Sequence, residues 1–148
     1  MAGCLDLCGA LVELEFRVPD EVLAEILSPR ERRAVEEALG AGILCRAAVT
    51  EPETLDIFAD LRQFLGIGES ACLALAARSG ALVASDEKRR FLREAEARLG
   101  PGRVLNTAGL FLLGIRRGAL SADEADEAKA VLERHRFRMP FASFRGLL

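Results

Sequence analysis

Short, mostly apolar runs alternate along this chain with longer segments of helical character. The runs are FRV, ILCRAAV, ALVAS and RVL, at residues 16–18, 43–49, 81–85 and 103–105. ALVAS shows no alternation of apolar with polar side chains, which is typical of a strand whose two faces are both covered. Strands that alternate with helices predict an α/β fold with a parallel sheet between helices.

The helical segments carry start signals at their N-terminal ends. A hydroxyl residue followed three positions later by a glutamate predicts a capping box. The chain has three such pairs, which are Ser28 with Glu31, Thr50 with Glu53, and Ser121 with Glu124. Asp20 is the predicted N-cap of a further helix. A helix over residues 69–78 is expected between Gly68 and Gly80.

Composition indicates one globular domain over residues 1–148, since 51% of the residues are hydrophobic and 29% are charged. The formal net charge of −3 argues against coating of nucleic acid by bulk charge, although it permits a local basic rim. No apolar run approaches the roughly 20 residues that a membrane span needs. The start of the chain lacks the pattern of a signal peptide. We therefore expect a cytoplasmic protein that does not bind membranes.

The cysteines do not form a recognisable zinc motif. Cys4, Cys8, Cys45 and Cys72 include no CxxC pair, and the single histidine, His135, is distant from them in sequence. We expect these cysteines to be small buried hydrophobic residues in a reducing cytosol.

Acidic residues stand where a site forms in parallel sheets, which is outside the carboxyl ends of the strands. Asp86 follows ALVAS directly, Glu25 comes soon after FRV, and Glu69 opens the alanine-rich helix. Clustered carboxylates suit Mg²⁺ or Mn²⁺, which can activate water for attack on a phosphodiester. Glu69 and Asp86 are therefore predicted to converge in one cleft, with Glu25 nearby. Thr107, after the RVL run, is a further candidate.

Each candidate also has a simpler interpretation. Glu69 can offset the dipole of its helix, and Asp86 or Thr107 can be an N-cap. Glu25 can lie on a solvated helix face together with Glu21. Five arginines are candidates for binding phosphates at the rim, or are solvated side chains: Arg89, Arg90, Arg93, Arg116 and Arg117.

From Val18 onward the chain resembles the PIN domain family, and within it small bacterial and archaeal proteins similar to toxin ribonucleases of toxin–antitoxin pairs. The resembling stretches are RVPDEVLAEI, GIGESACLALA, LVASDEKRRF and VLNTAGLFLLGIRRGALS. The resemblance implies a three-layer α/β fold with a short parallel sheet of strand order 3-2-1-4-5, flanked by helices. It also implies Mg²⁺- or Mn²⁺-dependent cleavage of RNA, an antitoxin-like protein partner and a homodimer.

Residue by residue, the resemblance makes Glu25, Glu69 and Asp86 the catalytic acids that bind the metal. It places the hydroxyl of Thr107 near the site. Asn106 stands where the family often has glycine, and Glu87 stands where many members have a second acid after the strand.

The N-terminus departs from the family pattern, which begins with a strand ending in aspartate. Here MAGCLDLCGALVELEF resembles the family's next segment, which comes after that strand and its aspartate. Leu5, Cys8 and Val12 recur at helical spacing, so we predict a helix and assign no catalytic role to Asp6. Four short strands or fewer are then expected.

Three interpretations of this departure stay open. In the first, the native chain starts further upstream. In the second, the gene is degenerate. In the third, the remaining strands close up into one sheet, or another chain completes the sheet. The expected function is accordingly a Mg²⁺- or Mn²⁺-dependent ribonuclease of PIN type, the toxin of a toxin–antitoxin pair, either with full activity or with cleavage impaired by the missing aspartate. The alternative is a non-catalytic module that binds RNA or a small antitoxin-like protein.

Overall fold

The structure is a computed structural model that describes residues 2–148, and it has α/β architecture. Its helices are α1 (Ala2–Ala10), α2 (Asp20–Glu25), α3 (Pro29–Gly40), α4 (Pro52–Leu61), α5 (Ile67–Ser79), α6 (Arg90–Leu99), α7 (Thr107–Arg116) and α8 (Ala122–Arg134). Its strands are β1 (Phe16–Pro19), β2 (Leu44–Ala47), β3 (Val83–Ala84) and β4 (Val104–Leu105), and a 3₁₀-helix spans Phe144–Leu147. The predicted fold, with short parallel strands flanked by helices, is confirmed.

The strands form two separate parallel pairs within residues 2–148. β1 pairs with β2, so that Phe16 lies beside Leu44 and Pro19 beside Ala47. β3 pairs with β4 over only two residues each. The order is therefore β1-β2 in one sheet and β3-β4 in the other. The expectation of four strands or fewer holds for the described chain, but the two pairs have not closed up into one sheet.

The chain forms two compact units, of which the first joins the segment up to Leu14 to Thr107–Leu148. In this unit α1 packs against α7, and α7 packs against α8. Gly114 makes the close approach possible, because a Cβ there would lie 2.6 Å from a methyl of Leu7. Phe111 and Phe144 fill the core with ring centroids 5.7 Å apart.

The predicted N-terminal helix is confirmed as α1, but its buried face differs from the prediction. Leu7 and Leu11 are buried, whereas Val12 is 86% exposed. The helix ends at Ala10, so Val12 does not continue the helical spacing that starts at Leu5.

The second unit, Glu15–Asn106, is built around α5. This helix packs against α2, α4 and α6, and it also packs against both β1 and β3. Its small residues Ala71, Ala74 and Ala76 are buried and admit these neighbours closely. Leu61, Leu73 and Phe91 are the larger side chains of this core.

Two of the three predicted capping residues are N-caps in the structure, and the third is not. The Ser121–Glu124 capping box is present, since Ser121 N–H donates to Glu124 Oε2 at 2.7 Å and Glu124 N–H donates to Ser121 Oγ at 3.2 Å. Ser28 accepts from Glu31 N–H at 3.4 Å. The Thr50 box is wrong, because α4 begins at Pro52 with Glu51 as its N-cap. Proline favours the first helical position, and this moves the start beyond Thr50.

Two further boundaries differ from their predictions. The N-cap of α2 is Pro19, whereas Asp20 is the first residue of the helix. Helix α5 starts at Ile67, two residues earlier than predicted, with Gly66 as its N-cap.

Candidate active site

Glu25 and Glu69 meet at the first turn of α5. Glu25 Oε1 accepts a hydrogen bond from the backbone N–H of Gly68 at 3.1 Å. Glu69 Oε2 accepts one from the backbone N–H of Gly66 at 2.8 Å. Both carboxylates therefore satisfy amides that the helix leaves without intrahelical partners, at the end where the helix dipole stabilises negative charge.

Gly68 allows this approach of α2 to α5. A Cβ at this position would lie 2.5 Å from Glu25 Oε2 and 3.1 Å from Val22 Cγ2, so only glycine leaves room for the carboxylate. The motif GIGES thus supplies both an acid and the space that a second acid needs.

Cys72, one turn further along α5, lies in the resulting negative field. Burial raises the pKa of its thiol, and the charges of Glu25, Glu21 and Glu69 raise it further, to about 11. A negative field opposes formation of a thiolate, and the three carboxylates add this effect to the larger effect of burial. Between residues 2 and 148, no salt bridge joins any of the three to a lysine or arginine.

Glu21 also acts on Cys72, although it was not among the predicted site residues. It lies four residues before Glu25 on α2, and its Oε2 is buried without a hydrogen-bond partner in the described chain. The spacing of four residues was the available signal, because it places two side chains on one helix face. A solvated face shared by Glu21 and Glu25 was the simpler of the two interpretations of this spacing.

The other predicted residues lie on different elements. Asp86 comes two residues after β3 and is exposed. Thr107 is the first residue of α7 in the first compact unit, and it is partly buried. The convergence of Asp86 with Glu69 and the role of Thr107 stay predictions.

Glu25 and Glu69 offer at most two carboxylate ligands to a metal ion at this turn. No group of three or more His, Cys, Asp or Glu side chains within residues 2–148 is arranged to hold a metal ion. Glu25 and Glu69 each use one oxygen for an amide of α5 and keep a second oxygen. Mg²⁺ commonly binds to one or two carboxylates and completes its shell with waters and substrate phosphates.

The candidate arginines are all exposed and fall into two groups. In the second unit, Arg90 donates to the backbone carbonyl of Phe64 at 3.3 Å, and Arg93 lies 3.9 Å from Glu94. Arg89 precedes α6 with a φ of 37°, a conformation that is unusual for a residue with a side chain. In the first unit, Arg116 belongs to the last turn of α7. Arg117 lies 3.2 Å from Glu13.

The cysteines only partly match their expected burial. Cys4, Cys8 and Cys72 are partly buried, but Cys45 is exposed, so the expectation that all four are buried is wrong. Cys45 lies on β2, where it is the register partner of Arg17 on β1.

A protein-family model described as a PIN domain matches residues 2–147. The chain belongs to the PIN domain family. The match confirms the family that the resemblance indicated, and it extends to the N-terminal residues before Val18. No curated protein and no solved structure gives a significant match to this PIN domain.

Family membership carries a general expectation of nuclease function, since PIN domains generally depend on divalent metal ions and commonly bind RNA. The part of this PIN domain that the structure describes contains no helix with the length and apolar character needed to cross a membrane.

Proposed function

We propose that this PIN domain is a Mg²⁺- or Mn²⁺-dependent ribonuclease in which Glu25, Glu69 and Asp86 hold the metal. The supporting observation is the meeting of Glu25 and Glu69 at the first turn of α5, where their charges act on Cys72. Glu25 and Glu69 form no salt bridge with a lysine or arginine of residues 2–148, and a divalent cation would offset the repulsion between two such carboxylates.

A divalent ion bound there supplies an activated water and stabilises the leaving oxygen of a phosphodiester. The chain contributes orientation: the amides of Gly66 and Gly68 fix one oxygen of each glutamate. In this proposal Arg89, Arg90 and Arg93 bind phosphates of the RNA, which positions the strand without reading its sequence. The resemblance makes the hydroxyl of Thr107 a further candidate.

Thermal unfolding in Mn²⁺ tests the metal site. A ligand that binds only the folded state raises the melting temperature by mass action. We expect Mn²⁺ to raise it for the wild type and to raise it much less for Asp86→Asn and Glu69→Gln. Glutamine retains an oxygen that can accept from Gly66, so the helix cap survives. Glu127→Gln, an exposed change on α8, is the control and should respond like the wild type.

Cleavage of single-stranded RNA tests the activity separately. We expect Mn²⁺-dependent products that disappear in Glu69→Gln and in EDTA. A melting curve that Mn²⁺ leaves unchanged, together with no cleavage, would contradict the ribonuclease proposal.

A second candidate function is a non-catalytic module that binds RNA or a small antitoxin-like protein. The observation in its favour is that no three or more His, Cys, Asp or Glu side chains of residues 2–148 are arranged so that they could hold a metal ion. RNA binding that persists in EDTA without cleavage supports this function. For either function, the resemblance to toxin ribonucleases leads us to propose an antitoxin-like partner and a homodimer. Light scattering of the purified chain tests the homodimer.

A further inference from the structure

Phe64 lies in the turn between α4 and α5, and its ring is open to solvent. The chain has eight phenylalanines but no tryptophan or tyrosine. All eight lie within residues 2–148, and of these Phe64 alone is largely exposed, with 48% of its surface accessible. Single exposed apolar side chains are common on folded proteins. The surroundings of Phe64 therefore decide whether its ring has a ligand.

The backbone at Phe64 is fixed by hydrogen bonds of both its polar groups. Its N–H donates to the carbonyl of Leu61 at 2.9 Å, and its carbonyl accepts from Arg90 Nη1 at 3.3 Å. Leu61 and Leu65, before and after it, are buried. The turn is thus anchored in the core of the second unit while the ring of Phe64 stays exposed. A ring with two rotatable bonds on a fixed backbone loses little conformational entropy when a ligand covers it.

The same turn leads directly into the acids of the candidate site. Gly66, two residues after Phe64, donates to Glu69 Oε2 at 2.8 Å, and Gly68 donates to Glu25 Oε1 at 3.1 Å. Since consecutive Cα atoms are about 3.8 Å apart, the Cα of Phe64 lies within about 7.6 Å of the Cα of Gly66. When a phosphate of an RNA strand reaches the two glutamates, a neighbouring nucleotide therefore comes within reach of the ring.

Cationic side chains lie beside this ring. Arg62 Nη1 donates to the carbonyl of Leu65 at 2.6 Å, and Arg90 Nη1 donates to the carbonyl of Phe64. Both arginines are exposed. A guanidinium has five N–H donors, more than each of these bonds uses. A flat apolar ring beside two cations matches the base and the phosphate of a nucleotide, whereas an apolar protein segment would match the ring and not the arginines.

We propose that Phe64 is a base-binding subsite, in which an unpaired base of single-stranded RNA stacks on the ring and the flanking phosphates contact Arg62 and Arg90. This inference rests on the proposed function, and it specifies the form of the substrate. Stacking accepts every base, because every base has a π-face. In a duplex the bases are already stacked and paired, so an aromatic platform selects unpaired strands. Phe64 thereby holds an unpaired stretch beside the acids without reading its sequence.

Binding of labelled RNA in EDTA tests the subsite without cleavage. The probe is fluorescein-labelled octauridylate, and fluorescence anisotropy measures its affinity. Phe64→Ala should bind it roughly 5- to 150-fold more weakly, the range that corresponds to the loss of one base–aromatic stack. Phe64→Leu keeps an apolar side chain without a π-face and should also bind more weakly, whereas Phe64→Trp should bind at least as tightly as the wild type. Val131→Ala, which changes another exposed apolar side chain on α8, is the control and should leave the affinity unchanged.

Changes in the ligand provide the complementary comparison. An octamer of abasic ribose phosphates has the charge of octauridylate but no bases. The wild type and Phe64→Ala should bind this octamer equally, because the ring has no base to contact. A blunt duplex RNA should likewise bind both proteins equally. For octauridylate, the slope of log affinity against log salt should be the same in both proteins, since the substitution removes no charge.

Phe64→Trp also gives a direct signal, because the native chain contains no tryptophan. A base that stacks on the indole should quench its emission when octauridylate is added, and the abasic octamer should leave the emission unchanged. Far-UV circular dichroism and light scattering show whether each variant keeps its fold and its oligomeric state.

Equal affinity of the wild type and Phe64→Ala for octauridylate, an equal loss of affinity for the abasic octamer, or unchanged indole emission would overturn the subsite. A changed oligomeric state in Phe64→Ala would overturn it too, since the ring would then belong to a protein interface. The ribonuclease proposal is tested separately. Mn²⁺-dependent cleavage with an RNA affinity independent of Phe64 would retain the ribonuclease and reject the subsite, and Phe64-dependent binding without cleavage would do the reverse.

Discussion

At the scale of single residues, Gly68 has the sharpest steric constraint around the candidate site. Its missing Cβ leaves room for Glu25 Oε2. We expect Gly68→Ala to lower the free energy of unfolding by roughly 1–3 kcal/mol, as overpacking does in a tight interior. Gly40, the last residue of α3, is the matched control because nothing lies within 4 Å of its added Cβ.

Urea denaturation measures both glycine variants. Gly40→Ala should be neutral or should stabilise by up to about 1 kcal/mol, since alanine loses less backbone entropy than glycine in a helix. Equal losses of stability in the two variants would show that contact with Glu25 does not limit position 68.

The hydrogen bonds between Asp126 and residues 143 and 144 make the stability of the fold depend on pH. Its carboxylate accepts hydrogen bonds from Ser143 Oγ at 2.5 Å and from Phe144 N–H at 2.9 Å. These bonds lower its pKa in the folded state below the usual 3.8. Ionised Asp126 therefore stabilises the folded state at pH values above its pKa in the unfolded chain. This stabilisation is lost as the pH falls through the lower pKa of Asp126 in the folded state.

The variant Asp126→Asn removes this titration. We expect its stability to fall less steeply than that of the wild type below about pH 4, where an unfolded aspartate takes up its proton. Urea denaturation at a series of acidic pH values checks the prediction. Parallel curves for the two proteins would mean that Asp126 does not contribute to acid unfolding.

The sequence predicted which acids belong to the site, but it did not predict the packing and hydrogen bonds around them. Glu25 and Glu69 were identified from the resemblance and from their positions near element ends, and the structure brings both to α5. The burial of Glu21 Oε2 was not foreseen, since it depends on packing contacts that α2 makes outside its own sequence. The link from Asp126 to Ser143 joins residues 17 positions apart, and no local pattern marks it.

At the scale of elements, helix α8 offers a direct test of capping. Ser121 and Glu124 cap its first turn reciprocally. Ser121→Ala should cost about 1 kcal/mol, because an amide of the first turn loses its acceptor. Thr50→Ala is the control, since α4 begins at Pro52 and has no side-chain cap bond at its N-terminus. Thermal or urea unfolding that shows a similar loss in both variants would contradict this assignment.

Helix starts proved easier to predict than strand lengths. Caps and prolines act within a few residues, so most helices lie near their predicted positions. Strands need a partner: ILCRAAV spans seven residues, but only Leu44–Ala47 pairs with β1. ALVAS pairs with β4 only at Val83 and Ala84. The sequence indicates which residues favour an extended conformation. The neighbouring backbone determines how many of these residues pair in a sheet.

At the scale of the whole molecule, the net charge of −3 opposes nonspecific attraction to RNA. RNA binding must then depend on local groups of arginines such as Arg89, Arg90 and Arg93. In the proposed function, Arg93→Ala should weaken RNA binding uniformly across sequences. It should also reduce the slope of log affinity against log salt by about 1.

Fluorescence titrations at several salt concentrations measure that slope. Arg134→Ala on α8, another exposed arginine, is the control for the loss of one positive charge. An equal change in slope for both variants would show that Arg93 has no special place in the RNA interface.

The first compact unit has a kinetic consequence, because it draws its residues from both ends of the chain. Helix α1 (Ala2–Ala10) is synthesised roughly 100 residues before α7 (Thr107–Arg116), against which it packs. Closing a loop of that length costs entropy that grows with the logarithm of its length. The contiguous second unit needs no such closure and is able to fold during translation. Leu7 and Leu11 thus stay exposed to solvent or to chaperones until α7 has been synthesised.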